Sequence, residues 1–283
     1  MEAVASGDVD SLRLLLREKT PKPATDRPGQ PPLDSLPALF RGVPHLRFRV
    51  SADCEVNLLS SRVMGKVVWP AAHATALYLL ASPPAATFVE VGAGAGLPSL
   101  VVARDGSVKV VATECTEAGV ELLRANSFHN GGSLRHITRL DLADTNALAD
   151  LLVQIDDTAT SASARGGVCV CACDMSYDEA CVSALFASLR VLANTRRERI
   201  SLVFARSSYF EHMDDHTLAC ARERGFGAAD RRRVVAGGVL DCAGAHYESC
   251  ADDVVDIIIF ETTSACAARP GGDTSGRTDA VIG

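Results

Sequence analysis

Hydrophobic and polar positions along the chain fall into two rhythms. Leu46, Phe48 and Val50 alternate with polar neighbours, the period of a half-buried strand. The apolar run Val67-Val68-Trp69 then leads into Pro70 at the first turn of a helix that ends at Ser82-Pro83-Pro84. From Thr87 the rhythm changes. Short β-branched runs (Thr87–Val91, Val108–Thr113, Val168–Cys173, Ile200–Ala205) alternate with helical stretches (Leu97–Arg104, Glu117–His129, Asp178–Leu192, Asp214–Arg224), which is the signature of repeated βαβ units. A late run, Val254–Glu261, adds a strand. The pattern predicts an α/β protein with a doubly wound, mostly parallel sheet.

Outside that core the chain changes character. Ala3 to Glu18 has a Gly7-Asp8 turn followed by Leu12, Leu15 and Leu16 at helical spacing, similar to the helical pair of one ankyrin repeat. One repeat cannot bury its own face, so this stretch reads as an amphipathic helix docked on the main domain. Pro21, Pro23, Pro28, Pro31, Pro32 and Pro37 make the next stretch a linker. The reading is therefore a helix and linker over residues 1–38, a folded domain over 39–263 beginning near Leu39, and a disordered Gly/Ser/Thr/Ala-rich tail over 264–283. Asp156–Gly167 reads as a surface insertion just before the strand Val168–Cys173.

Composition narrows the class. With 283 residues, 47% of them hydrophobic and 22% charged, collagen, coiled coil and wholesale disorder are excluded. The net charge of −7 argues against broad affinity for nucleic acid, and Arg231-Arg232-Arg233 reads as a solvated turn. Ten cysteines without zinc spacing read as small core hydrophobes of a reducing compartment. The first residues fit neither a secretory signal nor a transit peptide, and no stretch reaches the roughly 18 apolar residues of a membrane span. The expectation is a soluble protein of the cytoplasm, with the nucleus as the alternative.

The strongest chemical signal is Val89-Glu90-Val91-Gly92-Ala93-Gly94-Ala95-Gly96-Leu97, a strand running into a glycine loop and then a helix. Glycines there let the backbone turn tightly and approach a ligand, with helix N-terminal amides beyond. Leu97 stands where a dinucleotide-binding GxGxxG would have its third glycine, which disfavours a diphosphate cradle. Glu114 follows Gly92 by 22 positions, the distance at which a βαβ unit brings its second strand beside the first, so its carboxylate can accept hydrogen bonds from ribose hydroxyls. Glycine loop plus ribose acid without a glycine at the third GxGxxG position is the arrangement of S-adenosylmethionine (SAM) binders. His212 and His216, four apart, read as a surface helix pair, and Asn126 and Asn130 as side chains satisfying backbone beside the glycine turn.

These pieces resemble the methyltransferase-16 group of seven-stranded, SAM-dependent methyltransferases, many of which methylate lysines of other proteins. The resemblance covers about Gly65 to Glu261: GKVVWPAA from Gly65, the glycine loop, Glu114, Asn126/Asn130, Leu140-Asp141, and CDMSYD at Cys173–Asp178, whose DxxY spans Asp174 to Tyr177. It implies a Rossmann-like sheet with S-adenosyl-L-methionine as cofactor, a protein substrate, and no membrane or specific nucleic acid partner. Carried over by position, it puts Trp69 beside the cofactor, Glu90, Gly92, Ala93 and Gly94 around its amino-acid portion, Glu114 on its ribose and Asp141 near its adenine. Leu142 stands where relatives carry Trp, and Cys173 takes the small position before DxxY. Asp174 and Tyr177 would then hold the incoming amine, an N-cap being the alternative for Asp174. Phe204-Ala205-Arg206 and Tyr209 match an Arg and an aromatic residue more loosely. Methylation of an N-terminal amine or a small molecule, a nicotinamide oxidoreductase, and a non-catalytic binding module are the competing readings.

Overall fold

The computed structural model describes residues 45–51, 54–59, 68–84, 87–157, 167–196, 198–235 and 254–263. The helix expected at Ala3–Glu18, the proline linker, the domain start at Leu39, the tail from residue 264 and most of the expected insertion lie outside them. The described chain opens on a hairpin in which β1 (His45–Ser51) pairs antiparallel with β2 (Cys54–Leu59). Cys54, Val56 and Leu58 are buried at period two, as a sheet with one covered face requires. Helix α1 (Pro70–Ala81) begins on its proline, as expected, and its run of alanines lets it lie close against its neighbours.

The main domain continues with β3 (Thr87–Val91), α2 (Leu97–Val102), β4 (Lys109–Glu114), α3 (Glu117–His129), β5 (His136–Arg139) and α4 (Ala147–Asp157). It closes with β6 (Val168–Cys173), α5 (Glu179–Thr195), β7 (Ile200–Ser207), a 3-10 turn (Ser208–Met213), α6 (Asp214–Glu223), β8 (Phe226–Val235) and β9 (Val254–Thr262). Seven strands form one sheet in the order β5-β4-β3-β6-β7-β9-β8. The first five are parallel, and β9 runs antiparallel to both β7 and β8.

Both faces are covered, so the strands are near-continuous apolar runs. Phe88 points into a layer with Ala74 of α1, Leu100 of α2 and Leu123 of α3. Its neighbour Val89 points the other way, towards Leu152 of α4, Phe186 of α5 and Ala221 of α6. Strand order reverses between β3 and β6, and the crevice at their carboxyl ends is where such sheets bind ligands.

Two sequence expectations are corrected. Arg231-Arg232-Arg233 lies inside β8, with Arg233 in register with Asp256 of β9, because alternate arginines find carboxylates across the strands. Asp156 belongs to the last turn of α4, where Lys109 (2.6 Å) and Arg196 bind its carboxylate, so the helix runs into what reads as an insertion.

Candidate active site

The loop from Gly92 to Gly96 joins β3 to α2 at the switch point. Gly92, Gly94 and Gly96 have φ of 64°, 54° and 81°. At Gly96 the requirement is double, since a Cβ there would also sit 2.6 Å from Leu123 of α3. Glu90 lies beneath the loop with 1% of its surface exposed, and its carboxylate accepts from the Ser99 N–H (2.9 Å) and the Ser99 hydroxyl. Burial pushes the Glu90 carboxyl up, the two Ser99 bonds pull it back, and nearby Glu114 raises it again, leaving it at about 8. This has a consequence for ligand choice. The opening turn of α2 gives its Ser99 N–H to an internal carboxylate, and Pro98 has none to give, so the turn is poorly furnished for a diphosphate.

Glu114 ends β4 one strand over, and Oε1 accepts from the Gly94 N–H at 2.9 Å while Oε2 accepts from the Cys115 N–H at 3.1 Å. A Cβ on Gly119, in the first turn of α3, would come within 2.8 Å of that carboxylate. Gly119 escapes a sequence reading because nothing nearby marks it except the Thr116 hydroxyl that caps its N–H (3.1 Å). The Leu140 N–H donates to the Glu114 carbonyl (2.9 Å), which brings Asp141-Leu142 to the same edge. Asp141 is exposed and accepts from the Ala143 N–H, while Leu142 packs at the border of the core. Ala93 is buried and donates its N–H to Thr113.

After β6 the chain makes an unusual turn. Asp174 is the one non-glycine residue with positive φ (50°) among the described residues, and it is 6% exposed. Its carboxylate accepts from the Ser207 N–H (2.6 Å) and hydroxyl (2.9 Å) at the end of β7. The cap of α5 is Asp178, which accepts from the Ala180 N–H, so the capping alternative for Asp174 is corrected. Met175 lies over Gly92, where a Cβ would stand 3.3 Å from its sulfur, and this ties the DxxY turn to the glycine loop. Tyr177 is 60% exposed, and its hydroxyl accepts from the Cys181 thiol at 3.4 Å. Cys173 contacts Thr75 of α1 (3.4 Å) and Cys171 (3.8 Å). Glu90, Cys171 and Cys173 offer ligand atoms within 4.8 Å of one another. Glu90 is already engaged by Ser99, and the Cys173 contact and burial hold the Cys171 thiol well above its usual range, so the trio packs as a polar layer under the loop.

The remaining candidates lie apart from this cluster or at its margin. Trp69 is half-buried just before α1 and accepts the His73 N–H through its carbonyl. Arg206 is fully buried and grips Asp214 (2.5 and 2.7 Å) and Asp256 (2.9 Å), so it serves the sheet rather than the crevice. His212 sits in the 3-10 turn and His216 in α6, contacting Ser183 and Cys220, so the two do not share one helix. Among the described cysteines none is in a disulfide; Cys54 and Cys171 are core residues as expected, but Cys115 is exposed.

A seven-stranded sheet in this order, with a glycine loop and two strand-end acids at the reversal, has the Rossmann-like fold of SAM-dependent methyltransferases. Residues 55–216 match the methyltransferase-16 family, described as lysine methyltransferase, and the chain belongs to that family. It is a SAM-dependent methyltransferase. Among solved structures, a protein described as a methyltransferase and complexed with SAH is similar at a TM-score of 0.51 and 10% identity, covering 77% of this chain and 56% of that protein. M. jannaschii TYW2 in complex with AdoMet is similar at 0.45 and 15% identity, covering 77% of this chain and 87% of that one. A protein described as an RNA methyltransferase from Pyrococcus horikoshii is similar at 0.44 and 14% identity, covering 69% and 82%. No curated protein matches the sequence significantly.

The residues present fit the cofactor. SAM carries no phosphate but has a ribose diol, a sulfonium cation and a zwitterionic amino-acid end. The crevice answers with a glycine cradle a Cβ would fill at Gly92, and with the Glu114 carboxylate at its edge.

Proposed function

We propose that the protein methylates the side-chain amine of a lysine in another protein. Asp174 and Tyr177 act on the incoming amine, while Trp69, the Glu90–Gly94 segment, Glu114, Asp141-Leu142 and Cys173 form the cofactor side. One observation carries the reading: a buried acid is held in the left-handed region, beside the glycine loop, at the end of β6. Such backbone costs a non-glycine residue roughly 1–2 kcal/mol, and strain of this kind clusters where chemistry fixes a side chain. The family description supports lysine as the acceptor.

The chemistry asked of these residues is modest. When bound, SAM supplies a methyl on a sulfonium, and the S–CH3 bond breaks as the amine lone pair forms N–CH3, releasing S-adenosylhomocysteine. A lysine ammonium, with its reference pKa of ~10.4, must first lose a proton, which passes to solvent water before the displacement. The Asp174 carboxylate, held in place by the Ser207 N–H and hydroxyl, is the acceptor that receives the ammonium and then orients the neutral amine. Partial burial and the Cys181 thiol raise the Tyr177 phenol well above its usual range, so it stays protonated and hydrogen-bonds the amine without carrying charge. Positioning of this kind accounts for much of the rate of a displacement reaction.

The test is incubation with radiolabelled SAM and a cell lysate, then mass spectrometry with lysine-specific fragment ions. Asp174→Ala and Tyr177→Phe are expected to slow transfer at least ~10-fold, about 1.4 kcal/mol, while SAM binding survives. Label on arginine, histidine, a protein N-terminus or a free metabolite would overturn the lysine assignment.

A further inference from the structure

Three residues on one stripe of α3, with Asn130 that caps its C-terminus, read the molecule in order. Gly119 faces the Glu114 carboxylate, Leu123 faces Gly96, Asn126 reaches both the glycine loop and β2, and Asn130 reaches β2 and the Asn126 carbonyl. They fall at i, i+4, i+7 and i+11, the spacing of a single helix face.

The two asparagines behave as strand residues. Asn130 accepts the Asn57 N–H at 3.0 Å and donates to the Asn57 carbonyl at 2.7 Å. Asn126 accepts the Leu59 N–H at 2.6 Å and donates to the Leu59 carbonyl at 3.2 Å. Each carboxamide thus does what a neighbouring peptide group would do, and two rungs of the free edge of β2 are capped by a helix. Asn126 is fully buried and donates a second bond, 2.8 Å, to the carbonyl of Ala95 between the second and third loop glycines. Leu59, Leu122 and Ala125 form a small apolar cluster beside it.

We infer that Asn126 is a positioning residue that couples docking of the N-terminal hairpin to the cofactor loop, so that hairpin seating and cofactor binding strengthen each other. The same side-chain amide is shared between Leu59 and Ala95, and fixing one partner orients it for the other. Asn130 makes the same two-point rung to β2 and donates to the Asn126 carbonyl at 2.7 Å, but its side chain makes no bond to the loop. It therefore serves as an internal control. Coupling of this sort is reciprocal, since a ligand that steadies the loop must steady the hairpin by the same factor. The inference rests on SAM binding and is independent of which amine is methylated.

The experiment uses the full chain and S-adenosylhomocysteine as the probe. In wild type, saturating probe is expected to slow amide hydrogen exchange at Leu59 and Asn57 at least ~5-fold relative to the unliganded protein. Asn126→Ala should weaken probe binding at least ~10-fold by calorimetry and abolish that slowing. Asn130→Ala should speed exchange at Asn57 comparably and change probe affinity less than ~2-fold. If the probe protects the glycine loop but leaves Leu59 exchange unchanged in wild type, the coupling does not exist. That measurement needs no variant and stands even where Asn126→Ala fails to fold. Equal loss of affinity in the two variants would reduce Asn126 to general support of the hairpin. A methyl group found on another acceptor would leave this inference untouched.

Discussion

Glu90 at the crevice and Asp256 in β9 are both almost wholly buried in the same sheet, three strands apart, at 1% and 2% exposure. Their surroundings drive them in opposite directions. Glu90 is met by a hydroxyl and an amide of Ser99 and is pushed up to about 8. For Asp256 burial also works against the charge, but Arg233 and Arg231, with Arg206 behind them, outweigh it and hold the carboxyl at about 2. The comparison separates two uses of a buried acid. Beside the glycine loop, neutral donors leave the Glu90 carboxyl largely protonated at neutral pH. At the far corner, guanidiniums from β7 and β8 commit the charge and fasten β7, β8, β9 and α6 together.

Removing the cage should have the largest effect. Arg206→Ala takes the fully buried guanidinium from Asp214 and Asp256, and breaking such a cluster costs about 3–5 kcal/mol. Urea denaturation at pH 7 should register that loss, while the folded fraction still binds S-adenosylhomocysteine as tightly as wild type. A loss below ~1 kcal/mol would mean that Arg231 and Arg233 suffice. The folded pKa of Asp256 lies below its ordinary 3.8, so its contribution is present above about pH 4 and disappears as the pH falls towards 2.

At the other pole, Glu90→Gln keeps an acceptor for Ser99 and removes the titration. The folded pKa of Glu90 lies above its ordinary 4.5, so its favourable contribution is complete below that pH and is lost as the pH rises towards 8. Between pH 5 and 7.5 wild type should lose roughly 3 kcal/mol relative to Glu90→Gln. Parallel stability curves for the two proteins would show that Glu90 is ionised in the fold, and the contrast with Asp256 would collapse.

The two poles also differ in how far they could be read beforehand. The DxxY turn was legible only through the family resemblance, whereas the glycine loop and Glu114 announce themselves because backbone conformation and strand-end position demand particular residue types at fixed spacings. The parallel strands from Thr87 were legible for the same reason, as buried β-branched runs. β8 was not, because Ala-Asp-Arg-Arg-Arg has no apolar period and is a strand only through its pairing with β9 and its salt bridges. β5 is four residues long with no buried position, and the edge of β2 is bonded by Asn126 of α3 and its cap Asn130, 67 and 73 positions away, which no local pattern reveals.

A middle-sized effect is expected where the loop meets α3. Gly96→Ala forces a non-glycine residue to φ of 81° and drives its Cβ against Leu123. About 2 kcal/mol of stability should go, read as a lower melting temperature, and cofactor affinity should fall with it. If the variant melts as wild type does, Leu123 yields and the loop is softer than its contacts indicate.

The smallest expected change in stability is the most discriminating, because stability and binding should move in opposite directions. Gly119 lies in the first turn of a helix without positive φ, so alanine there favours the helix, by up to ~1 kcal/mol on propensity alone. Its Cβ, however, would stand 2.8 Å from the Glu114 carboxylate and displace it from the Gly94 amide. Gly119→Ala should therefore melt no lower than wild type yet bind S-adenosylhomocysteine about 10-fold more weakly, close to 1.4 kcal/mol. Glu114→Ala should lose a comparable amount through its charged hydrogen bonds, of order 1.5–3 kcal/mol. Because both act through one carboxylate, the double variant should bind little worse than Glu114→Ala alone, and the two losses should not add. Additive losses would mean that Gly119 serves the crevice by some route other than making room for Glu114, and the assignment of that acid to the ribose would lose its structural support.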